Sequence, residues 1–166
     1  MLFTEEIVLF TGLGVLFAVG LAVLVHWSKK PASRIGAFAL LAVAFLYVGA
    51  ALHAEDRTLW LGFEMTGVAV FGSLAAASML VSPWLVPVGF ALHVGWALNF
   101  HYFGTGSAFA PGPFVLATVG FDAAVALYVA IMLLLGRRAA LTQDNEPAKP
   151  KLAARSRGRE QKDAGQ

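Results

Sequence analysis

The 166-residue chain has no cysteine. Disulfides, thiolate nucleophiles, cysteine-held zinc and iron–sulfur clusters are therefore excluded. Charge is scarce as well: Asp, Glu, Lys and Arg make up 13% of the residues, against 58% hydrophobic ones. A typical soluble domain carries about twice that share of charge. The start, MLFTEE, lacks the basic n-region of a signal peptide, and the apolar run behind it is longer than an h-region with no cleavage site to match. It reads as a retained helix. There is no internal repeat and no HExxH-type metal motif. The pI near 9.2 comes mainly from the residues after Gly136, so it is not a nucleic-acid footprint.

What is present is a series of five apolar runs, about Glu6 to His26, Ile35 to His53, Thr58 to Val81, Trp84 to Phe103 and Phe114 to Gly136. Mean hydropathy is +0.72. Each run is roughly 20 residues, or about 30 Å as a helix, the thickness of a bilayer's hydrocarbon core. The breaks are WSKKPASR, AEDR, Ser82–Pro83 and the Gly/Pro-rich GTGSAFAPGP. The expected fold class is all-α, an integral membrane bundle of five transmembrane helices over residues 1–138. Residues 139–166 hold few large apolar side chains and two prolines, the composition of a disordered basic tail. Five crossings put the two ends on opposite sides. Lys29, Lys30, Arg34 and the tail fall on one side and only Arg57 on the other, which predicts an outside N-terminus and a cytoplasmic C-terminus. The expected partner is membrane lipid.

Against this background the polar residues inside the runs stand out. His93 and His101 lie in FALHVGWALNFHYF, about 80° apart around an α-helix, with Trp96 on or near the same arc and Asn99 pointing away. Glu64 is roughly 9 Å below the outer end of its run. Its face continues through Gly67, Val68, Phe71, Ala75 and Ser78, small residues that suit close packing. Asp122 is roughly 13 Å deep in the fifth run, on a face with Thr118 and Ala126. His53 and His101 fall near the outer boundary. Polar groups in hydrocarbon are costly, and an acid there must be neutral or paired. Glu64, His93, His101 and Asp122 are therefore expected to meet in one space. His53, Trp96 and Asn99 are candidate pocket residues, Asn99 with interhelical hydrogen bonding as its plainer role. Trp27, Trp60, Trp84 and Tyr102 match an aromatic belt at the run ends. The loop Gly104 to Pro113 is expected to cover the mouth of the site.

Imidazole and carboxylate are ligands for zinc and related divalent ions, so the four residues could hold a metal whose bound water becomes a nucleophile. The same groups could act as a His–carboxylate acid–base pair on a lipid or another apolar substrate. A non-catalytic role, as a partner subunit or a small transport or sensing element, explains them by helix pairing or ion passage. Haem held by His53 with His93 or His101 leaves both acids unexplained.

HVGWALNFHYFG at His93 to Gly104, followed by GFD at Gly120 to Asp122, resembles a group of small bacterial membrane proteins catalogued as a domain of unknown function, family six thousand and ten. LYVGAAL at Leu46 to Leu52 and the Glu64 helix are similar to its earlier helices, so the resemblance spans about Phe38 to Leu134. The family pattern H-x-G-W-[D]-x-x-[H]-H with a late Asp carries over at His93, Gly95, Trp96, His101 and Asp122. Ala97 stands where the pattern has Asp, and Phe100 where it has the first of two adjacent His. The resemblance implies a bacterial inner-membrane location and the place of the site. It implies no activity.

Overall fold

The computed structural model describes residues 4–144, with side chains to residue 138. The architecture is all-α, and no strand occurs among the described residues. The helices are α1 (Thr4–Ser28), α2 (Ala32–Ala51), α3 (Arg57–Leu80), α4 (Leu85–Trp96) and α5 (Gly112–Asp144). α4 continues directly into a π-helical segment, Ala97–Tyr102, and a 3-10 turn at Thr105–Ala108 leads to α5. Four stretches, α1, α2, α3 and Gly112–Arg138 of α5, are long and apolar enough to cross a membrane.

Local chemistry sets the boundaries. Glu5 and Glu6 lie in the first turn of α1, where acids oppose the positive end of the helix dipole. α1 ends with Lys29 in the left-handed region at φ 54°, and Pro31, extended at ψ 135°, opens the way into α2. Asp56 of the AEDR break caps α3 by accepting from the Leu59 N–H at 3.2 Å. α5 runs beyond its expected end at Gly136, because nothing after that glycine stops it. The next residues, RRAALTQD, contain good helix formers and no proline. The expectation of a disordered tail therefore fails for 139–144, and residues 145–166 lie outside the described residues.

The chain divides into two units, residues 1–134 and 135–166. The described part of the second is the end of α5. In the first, packing runs through narrow seams of small residues. The buried face of α3 is Glu64, Gly67, Val68, Phe71, Ala75 and Ser78, the face expected from periodicity. α1 buries only Gly14, Ala18 and Val25. A side chain at Gly14 would run into the Ala117 carbonyl of α5, and one at Gly120 into the Thr11 carbonyl of α1. The two backbones thus meet almost directly, a contact that only glycine permits. Leu40, Phe71, Val86, Phe90, Val125 and Val129 fill the middle of the bundle. Large apolar side chains such as Leu9, Leu16, Leu80 and Phe103 face outward.

Candidate functional site

Five polar side chains from four helices come together towards the end of the bundle that carries the 3-10 turn. Glu64 is 2% exposed, His93 and Tyr47 are each 1%, and His101 and Asp122 are fully buried. His93 Nδ1 lies 2.6 Å from Asp122 Oδ2, a short hydrogen bond between α4 and α5. His101 Nε2 lies 3.4 Å from Glu64 Oε1, within ion-pair range but not aligned as a hydrogen bond. Each of the two buried acids, Glu64 and Asp122, thus meets one imidazole.

Tyr47 of α2 joins the two pairs. Its ring is stacked on His101, with centroids 4.3 Å apart, and meets His93 edge-on at 5.7 Å. Its hydroxyl faces Thr118 without closing a well-formed hydrogen bond, and Thr118 Oγ1 itself donates to the Phe114 carbonyl at 2.9 Å. Tyr47 was not among the expected site residues. Tyrosine reads as one more apolar aromatic in a helix such as AFLYVGAAL. The signal was its phenol, placed well inside the run and away from the boundary belts.

The π segment positions His101. The Phe103 N–H bonds to the Leu98 carbonyl at 2.9 Å, a step of five residues. Such a turn is wider than α and rotates less per residue, so it carries His101 back towards the azimuth of His93. Asn99 sits where the ladder changes, and its Nδ2 donates to the Gly95 carbonyl at 2.7 Å. It is exposed and bonds its own helix, so the expected interhelical bond is corrected; it lines an open groove with Phe71, Trp96 and Phe100, away from the two imidazoles.

The loop behind the π segment packs onto the site, as expected of a cover. Phe109 lies against His101, with centroids 5.7 Å apart, and also against Trp60 at 4.8 Å. Gly106 is buried, and a Cβ there would stand 2.5 Å from His101 Nδ1. The loop backbone touches the imidazole where no side chain fits.

His53 is exposed beyond the end of α2, with its ring at 3.3 Å from the Gly49 carbonyl. It therefore faces neither His93 nor His101 as a haem ligand would. Trp96 is one layer removed from the imidazoles, with Phe71 4.6 Å from His93 and 5.9 Å from Trp96; it stacks on Phe63 at 4.8 Å and lines the same open groove as Asn99. The four-ligand zinc arrangement of Glu64, His93, His101 and Asp122 is also not formed. Among the described residues no three such side chains converge as metal ligands. The reason is geometric: each carboxylate is turned onto one imidazole, and the Tyr47 ring occupies the space between the pairs.

Five buried polar atoms have no hydrogen-bond partner among the described residues: Tyr47 Oη, Glu64 Oε1, Asp122 Oδ1 and both ring nitrogens of His101. Leaving such an atom unpaired costs about 1–3 kcal/mol. Five in one place make this the most polar and least satisfied part of the core. The arrangement can hold, accept and pass protons over short distances. Beside it, an open apolar groove of about 320 Å³ runs between α1, α2 and α5, lined by Phe17, Val43, Leu46, Phe114, Ala117, Thr118 and Phe121.

No family model matches the chain, and neither the curated proteins nor the solved structures offer a match.

Proposed function

We propose that this is a five-span membrane protein whose buried network exchanges protons, serving proton-linked transport or sensing. The fifth span is α4 together with the π segment, residues 85–102. Its twelve α residues at 1.5 Å each and six π residues with a smaller rise reach about 25 Å, near the hydrocarbon thickness of about 30 Å. With α1, α2, α3 and α5 this places the chain ends on opposite sides, and the basic breaks then put the C-terminus in the cytoplasm. A reporter fused after Gln166 should be active only in the cytoplasm. Activity on the other side would reject five spans.

One observation carries the proton-exchange reading. Two imidazole–carboxylate pairs share one tyrosine ring in an enclosed core, with polar atoms left unpaired on both sides of it. Intramembrane acids and histidines of this kind mark proton relays. The enclosure matters too: a proton reaches such a site through a water or two, whereas a lipid substrate needs the cover to open. The test is infrared difference spectroscopy of the reconstituted protein between acid and alkaline pH. The carboxylic C=O stretch should change, and separate components should vanish in Glu64→Gln and Asp122→Asn. A carboxyl region that stays flat across the range would refute proton exchange. Dye-loaded liposomes under a pH gradient then separate transport from sensing.

A second reading, acid–base catalysis on an apolar membrane substrate, is favoured by the groove beside the network. Thr118, which lines it, is one helical turn from Asp122 on the same face of α5. The likeness to family six thousand and ten agrees with either reading and selects neither.

A further inference from the structure

At the other end of the first unit, α1 and α2 meet α5 around a larger groove of about 730 Å³. Its wall is apolar along Val19, Val23, Ala32 and Met132, and its rim is His26, Trp27, Lys29 and Lys30. Among the described residues neither lysine has a carboxylate partner. No acid occurs between Glu6 and Glu55 in the sequence, so α1 and α2 bring none to this end.

The turn itself is built in an unusual way. Lys29 adopts φ 54°, the only non-glycine residue with a positive φ among those described. Helices commonly end on a left-handed residue, but glycine is the usual choice because a Cβ is disfavoured there. Ser28 fixes the turn, its hydroxyl donating to the Val25 carbonyl at 3.0 Å and accepting from the Lys30 N–H at 3.2 Å. A lysine is thus held where glycine would fold more easily, at the rim of a groove with an apolar floor.

We infer that this groove binds an anionic phospholipid, its headgroup phosphate against Lys29 and Lys30 and an acyl chain along the Val19–Val23–Met132 wall. The inference rests on the membrane reading above, not on proton exchange. Charge complementarity selects the headgroup. Basic pockets between membrane helices take anionic headgroups for this reason, and the membrane reading puts Trp27 and His26, at the end of α1, at headgroup depth.

The test uses full-length protein released from detergent for native mass spectrometry, with phosphatidylglycerol or phosphatidylcholine of identical chains as the probe. One phosphatidylglycerol should be retained in clear preference to phosphatidylcholine. Removing one lysine, as Lys29→Gln or Lys30→Gln, should weaken retention about fivefold, the weight of one basic side chain near an anionic headgroup. Lys29→Arg should keep it, and Arg137→Gln with Arg138→Gln should leave it unchanged. Lys29→Gly is the sharpest variant. It relieves the turn, so its melting temperature should hold or rise while lipid retention still falls about fivefold. Equal retention of the two lipids, a preference that survives loss of both lysines, or one that tracks the two arginines would each overturn the inference. Expressed protein recovered in the soluble rather than the membrane fraction would instead refute the reading on which it rests.

Discussion

At the residue scale, the contact with most at stake is His93 to Asp122. The 2.6 Å bond joins two helices, and neither partner reaches solvent. Removing one member of a buried pair strands the other, at about 3–5 kcal/mol. Asp122→Ala should lower stability by that order, while Asp122→Asn, which still accepts from the ring, should cost only about 1–3 kcal/mol. Thermal unfolding in detergent reads the difference, and equal losses in the two variants would show that shape rather than the hydrogen bond matters there. Residues of this kind were legible in the sequence because cost is legible: an acid in an apolar run must find a partner. Tyr47 signals its cost only through a phenol placed well inside its run, a weaker mark than a carboxylate because the ring itself fits an apolar helix. His53 misled in the opposite direction. It was placed by depth, but it falls past the last residue of α2, where an imidazole meets solvent and needs no partner.

At the scale of elements, the five helices follow from the runs of apolar residues, and the α3 face follows from its period. The π segment does not. Whether a carbonyl bonds four or five residues ahead depends on what the side chains beyond it must reach, and this is tertiary information. Ala97–Tyr102 takes the wider turn, and His101 thereby faces Glu64 and Tyr47. Deleting Leu98, a partly exposed residue inside the segment, should restore the four-residue ladder and rotate His101 out of the network. Circular dichroism should show helix content preserved, while the Glu64 component of the infrared difference signal changes or disappears. An unchanged Glu64 signal would mean that the segment does not position His101.

At the scale of the whole molecule, the network draws on α2, α3, α4 with its π segment, and α5. α1 contributes none of it. α1 fully buries only Gly14, Ala18 and Val25, with Leu21 half-buried against the core beside them and most of its other side chains exposed. Coexpressed fragments, residues 1–31 and 32–166, should therefore reassemble, and the longer fragment alone should retain the carboxyl infrared signal. Loss of that signal without α1 would show that the seam also orders the network. The seam has another consequence. Phe17 is the contribution of α1 to the groove that Thr118 lines. That groove already lies open between α1, α2 and α5, and Thr118 on its wall is one helical turn from Asp122. Small apolar molecules dissolved among the lipids would then meet the network laterally, from within the membrane.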